Sequence, residues 1–164
     1  EGLSGRTTCF DDPIHEGLNG LDYIYPCLKS HEAIDLLIIM LGTNDIGYYG
    51  IDETMERWVT FLGNIRELCP DIEVYIQSLT PMWTESEQKL LNNANIDIYN
   101  QRLEAFAKEN DCHFVNIAPY FKDSTNGMAV TYSGDRYVHM CEEGVSAWVT
   151  VLKAYAAEQE KEMA

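Results

Sequence analysis

The sequence predicts an α/β fold built on a parallel sheet, and three observations carry the prediction. Residues 34–41, "IDLLIIML", form an almost unbroken apolar run. Continuous rather than alternating apolarity marks a strand covered on both faces, as inside a parallel sheet. Two further runs, "IEVYIQSL" at 72–79 and "CHFVNIA" at 112–118, have strand composition. Between and after them lie segments with apolar residues at helical spacing, so strands alternate with helices. With 164 residues, the chain is read as a single domain, 1–164, long enough to bury a core.

The elements follow in order. Leu18, Leu21, Tyr25 and Leu28 predict a short helix over 18–30. The run at 34–41 is the first strand and stops at Gly42. Met55, Trp58, Val59, Leu62 and Ile65 make 52–69 an amphipathic helix, with Pro70 just past its end. After the strand at 72–79 comes a helix or helix pair over 86–109, with Ile96, Tyr99, Leu103, Phe106 and Ala107 on its inner face and a break expected at Asn92–Asn93. A polar loop follows the strand at 112–118. The last helix, 142–160, is expected to turn Val145, Trp148, Val149, Leu152 and Tyr155 inward. In open parallel sheets, functional groups gather at the carboxyl ends of the strands. That directs attention to 42–45, to 79–84 and to the loop before the last helix.

Charge narrows the chemistry. Twenty-seven acids against 11 bases give a net charge of -16. Such a field repels nucleic acid and anionic membranes and favours a neutral or cationic small-molecule substrate. No apolar run approaches the ~20 residues that span a bilayer. The five cysteines (9, 27, 69, 112 and 141) are odd in number and form no C-x-x-C pair. They read as reduced, mostly buried thiols, and with them a cytoplasmic location is expected. Asp11, Asp12, His15 and Glu16 are interrupted by Pro13 and do not make a convincing metal set. No metal and no cofactor are expected.

Three short stretches carry a resemblance: "GLSGRTT" at 2–8, "LGTND" at 41–45 and "SGDRYVHMCEEG" at 133–144. Together they resemble the SGNH, or GDSL-type, hydrolase superfamily, and most closely its aryl esterase and acyltransferase branch. The resemblance implies a three-layer, flavodoxin-like α/β/α sheet with strand order 2-1-3-4-5. It also implies a serine esterase that forms an acyl-enzyme, acting on short acyl groups of small neutral aryl, alkyl or sugar esters, with acyl transfer and homo-oligomers known in that branch. Carried over by position, Gly5 supplies a backbone N–H and Asn44 a side-chain amide to an oxyanion hole, and His139 is the general base. Glu143 and Gly144 match the start of the last helix.

Two departures stand out. The acid three residues before the histidine is absent: Arg136 occupies that position and Asp135 lies one further back. A one-residue bulge brings Asp135 to the imidazole; otherwise a backbone carbonyl holds His139 in a dyad. The second departure is the missing Gly-Asp-Ser turn. None of the seven serines has that context, and Ser4 matches only the residue before the oxyanion glycine. The expectation is an N-terminally incomplete domain, with its first two strands and its nucleophilic serine upstream of residue 1, hydrolytically dead and poorly soluble when expressed alone. The alternative is a catalytically inactive SGNH-like module used for binding or assembly. A nucleotide-binding flavodoxin-like domain needs a glycine-rich phosphate loop after a strand, and none follows those read here. Met82 and Trp83, just past a strand end, are either core or acyl-pocket wall. Tyr48 lines the same pocket or covers an interface.

Overall fold

The three strand-like runs pair in parallel, in the order β1-β2-β3 (Leu36–Ile39, Glu73–Gln77, His113–Val115), in a computed structural model that describes residues 20–30 and 34–162. Leu37 pairs with Val74, Ile39 with Ile76, and Ile76 in turn with Phe114. This is the order implied for strands three to five of the resembled sheet. The helices are α1 (Gly20–Ser30), α2 (Thr43–Tyr49), α3 (Ile51–Leu68), α4 (Asn93–Glu109) and α5 (Glu142–Glu162). Single 3-10 turns occupy Thr84–Ser86 and Ala118–Phe121.

Strand alternation sorts the side chains onto two faces. Ile39, Val74 and Ile76 point into the larger core, which Trp58, Phe61, Leu62 and Ile65 of α3 and Ile96, Tyr99 and Leu103 of α4 complete. Tyr75, Gln77 and Val115 point the other way, toward Trp148, Leu152 and Tyr155 of α5. Trp148 Nε1 donates to Gln77 Oε1 at 2.6 Å, which satisfies a buried amide oxygen where helix meets sheet. The result is a helix–sheet–helix sandwich.

Several expectations shift. β1 is shorter than the apolar run and is not covered on both faces: Leu36 and Ile38 are 46% and 49% exposed. Among the described residues β1 is an edge strand, and α5 covers only β2 and β3 on that side, leaving an apolar groove between Leu36, Ile38 and Tyr155. Val59, expected inside, is 64% exposed, and Phe61 takes its place in the α3 stripe. Val145 and Val149 are also exposed, because the inner stripe of α5 runs through Trp148, Val151, Leu152 and Tyr155. Cys27 is exposed, and Cys69, Cys112 and Cys141 are free and half-buried rather than buried. The break at Asn92 is a helix start: its side chain accepts from the Asn95 N–H at 2.9 Å and caps α4. Helix α2 was not expected. No helix among the described residues is long and apolar enough to cross a membrane.

Candidate active site

The three strand exits and the loop before α5 supply the candidate site. At the β1 exit the chain turns sharply at Gly42, with φ +128°, a region L side chains rarely adopt. A Cβ there would lie 2.3 Å from the Tyr99 hydroxyl. That hydroxyl is fully buried, accepts from Trp58 Nε1 at 2.6 Å and donates to the Leu41 carbonyl at 2.9 Å. Burial pushes its ionisation far above the ordinary range, so it is a permanent hydrogen-bonding group. The turn delivers Asn44, half-buried, in the first turn of α2, followed by the fully buried Asp45.

The β2 exit is held by side chains that take the role of a neighbouring strand. Asn100 accepts from the Leu79 N–H and donates to the Leu79 carbonyl, at 2.8 and 2.9 Å. Seven residues earlier, on the same face of α4, Asn93 does the same for Met82, at 2.8 and 3.1 Å. The hydroxyl of Ser78, fully buried, accepts from the N–H groups of Ile117 and Ala118 and so ties the β2 exit to the β3 exit. Met82 is 0% exposed and lies in the larger core. Trp83 is half-buried beside it, and Tyr48 is exposed on α2.

The loop before α5 is closed on itself. Ser133 and Met140 form an antiparallel bridge, and the Gly134 N–H donates to the His139 carbonyl at 2.8 Å. Gly144 lets α5 begin against this closure: a Cβ there would lie 2.8 Å from the Tyr132 carbonyl oxygen. Inside the loop, His139 Nδ1 and Asp135 Oδ2 are 2.5 Å apart. Asp135 Oδ1 also accepts the N–H groups of Tyr137 (2.8 Å) and His139 (3.2 Å). Partial burial pulls the Asp135 pKa upward, but the bonds from the His139 ring and from the two amides outweigh it, so the carboxyl lies below its ordinary range. A carboxylate on Nδ1 sets the ring tautomer and leaves Nε2 for proton exchange. The His139 side chain is 65% exposed.

The backbone therefore places Asp135 on His139 from four positions back, through a left-handed residue, Arg136, at φ +55°. The Trp83 N–H donates to the Tyr137 carbonyl at 2.7 Å, which docks this loop on the β2 exit. Asn44 occupies the neighbouring strand exit. Gly5, together with Ser4, lies outside the described residues. Sequence reasoning missed Ser78, Asn93 and Asn100. The one available signal was an amide-bearing residue on an otherwise apolar helix face, where its hydrogen-bonding groups must be met.

Comparison with known proteins follows the same lines. The model of the GDSL-like lipase/acylhydrolase family matches residues 1–147. No curated protein matches the chain. Among solved structures, the aryl esterase of M. smegmatis is similar at 26% identity and TM-score 0.66, over 100% of this chain and 77% of that one. A carbohydrate acetylesterase from Sinorhizobium meliloti is similar at 27% identity and TM-score 0.66, over 96% and 76%. A GDSL-like lipase from Bacteroides thetaiotaomicron is similar at 25% identity and TM-score 0.61, over 76% of this chain. The chain spans 62% of the length of that lipase and 60% of the length of a similar Streptococcus structure.

Proposed function

The chain belongs to the GDSL-like lipase/acylhydrolase family, and from that premise we propose that it forms the base and oxyanion part of a serine esterase. The observation that carries the reading is the Asp135–His139 pair, with an exposed imidazole, docked against the carboxyl end of the sheet. In this reading a serine hydroxyl attacks the ester carbonyl while His139 Nε2 takes its proton. Charge develops on the carbonyl oxygen and is met by the Asn44 amide and the Gly5 N–H. The intermediate collapses as His139 returns the proton to the leaving alcohol, and water then resolves the acyl-enzyme by the same steps.

The nucleophile in this reading sits on a strand that pairs with β1, which among the described residues is an edge strand. Of the described serines, Ser78 is fully buried between two strand exits, and Ser133 accepts the Arg136 N–H. Short acyl groups on small neutral aryl, alkyl or sugar alcohols are the proposed substrates. The acidic surface and the likeness to an aryl esterase and a carbohydrate acetylesterase support that class.

The test is hydrolysis of p-nitrophenyl acetate by the whole protein. Turnover should be blocked by a serine-directed phosphonylating reagent and should fall by at least about 100-fold in His139→Ala. Ester hydrolysis that survives both treatments sinks the assignment. A folded protein that binds an ester without turning it over favours the inactive binding module.

A further inference from the structure

The spacing Asp135–Arg136–Tyr137–Val138–His139 carries one residue more than the D-x-x-H pattern it resembles. An extra residue inside a loop whose ends are pinned has to be taken out of the path. Here the ends are pinned by the Ser133–Met140 bridge and by the Gly134 N–H on the His139 carbonyl. Arg136 is the residue displaced, by adopting the left-handed conformation. For a residue other than Gly, Asn or Asp that conformation is unfavourable and needs outside support.

The support comes from two directions. Within the loop, Ser133 Oγ accepts the Arg136 N–H at 3.0 Å. From fifty residues away, Ser86 Oγ donates to the Arg136 carbonyl at 2.7 Å. The Arg136 guanidinium lies over the Trp83 ring, 5.8 Å from its centroid. The next residue is gripped by the same segment: the Tyr137 carbonyl accepts from the Trp83 N–H, and the Tyr137 hydroxyl accepts from Gln88 Nε2 at 3.1 Å. The gripping segment is itself fixed at both ends by one side chain. Asn93 Nδ2 donates to the Met82 carbonyl and to Glu87 Oε1, at 3.1 and 2.8 Å. The turn at 83–88 is therefore a rigid mould for the two residues that separate Asp135 from the rest of the loop.

We propose that Ser86 and Arg136 are positioning residues for the Asp135–His139 pair: Ser86 holds the carbonyl of a left-handed Arg136, and that residue turns the Asp135 carboxylate onto the imidazole. Neither touches the reacting atoms. The inference rests on the esterase reading only in naming His139 the base; the positioning itself can be measured without turnover.

The test follows the Asp135 side-chain carboxyl by carbon-13 NMR across acidic pH in the whole protein and in Ser86→Ala, Arg136→Gly and Arg136→Val. In the parent the midpoint should lie below the ordinary carboxylate range. Arg136→Gly should keep it there, because glycine adopts positive φ freely. Arg136→Val, whose β-branched side chain opposes positive φ, and Ser86→Ala should both move the midpoint up toward that of a free aspartate. Ser86→Thr should restore the parent value. Ser86→Ala removes one hydroxyl from a partly exposed turn, so it decides the matter even if Arg136→Val does not fold. Where turnover is measurable, Ser86→Ala should lower kcat about tenfold with KM little changed. A parent-like Asp135 midpoint in Ser86→Ala overturns the proposal, as does an Arg136→Gly variant that titrates like Arg136→Val. An absence of ester hydrolysis with these NMR shifts intact would instead count against the esterase reading alone.

Discussion

Alanine at position 42 should damage this protein, whereas alanine at position 63 should help it. At Gly42 two costs combine. The backbone sits at φ +128°, and holding a non-glycine residue in such a region costs about 1–3 kcal/mol. The new Cβ would also lie 2.3 Å from the Tyr99 hydroxyl oxygen and 2.6 Å from the ring carbon that bears it. Tyr99 is completely buried between Trp58 and Leu41, so it has no open space to move into. Overpacking of this kind costs roughly 1–3 kcal/mol, and any ring movement also weakens two hydrogen bonds worth about 0.5–1.5 kcal/mol each. The expected loss is on the order of 2–6 kcal/mol, a large share of the ~5–15 kcal/mol that holds a typical domain together. Gly63 is exposed in the interior of α3, and a Cβ there meets nothing within 4 Å. Alanine should stabilise at that position by about 0.5–1 kcal/mol through better helix propensity and a less mobile unfolded chain. Urea unfolding of the whole protein, read as the shift in midpoint at constant slope, measures both. A Gly42→Ala loss smaller than about 1 kcal/mol would refute this account of the β1 exit, and a Gly63→Ala loss of any size would refute the account of α3 at that position.

Three further outcomes are expected. Asn44→Ala should reduce kcat for ester hydrolysis by about 100- to 1000-fold while leaving the circular dichroism spectrum unchanged; a loss under tenfold would remove Asn44 from the oxyanion hole. Asn93→Ala leaves the buried amide of Met82 without its partner, while the Met82 carbonyl keeps the Met128 N–H at 2.9 Å, and should cost roughly 1–3 kcal/mol and speed hydrogen exchange at the Met82 amide, so an unchanged exchange rate would show that this bond is dispensable. The Asp135 carboxyl is held below its ordinary range in the folded state. Its contribution to stability is therefore fully present above the ordinary aspartate value of about 3.9 and is lost as pH falls through the lower folded value. Relative to Asp135→Asn, the parent should keep a constant small advantage near neutrality that shrinks only in strong acid; an advantage already lost at pH 5 contradicts the direction of that shift. The advantage itself is expected to be modest, because the pair is solvent-exposed.

How much of this was legible depends on whether the signal was periodic or relational. The apolar stripe Ile96–Tyr99–Leu103–Phe106 announced α4, since helical spacing is written into the order of residues. The inner stripe of α5 was misplaced by two valines, because periodicity locates a stripe only to within one residue either side, and which flank is covered depends on where β1 ends relative to the helix. Seven-residue α2, with a glycine inside it, was too short and too weakly patterned to detect. At the site, residue types at the strand exits were readable, but the pairing of Asp135 with His139 was left between two possibilities because spacing alone does not define a hydrogen bond.

By itself, the sequence determined the class of sheet, the alternation of its elements and the places where polar chemistry gathers, because burial and pitch are local properties of the chain. Only the tertiary structure decided that Arg136 would turn left-handed and that Asp135 would reach the imidazole from four residues away. That geometry depends on a hydroxyl fifty residues earlier and on an asparagine that braces the turn carrying it. Contacts so distant in the chain leave no periodic trace, and they exist only once the strands and helices have been stacked.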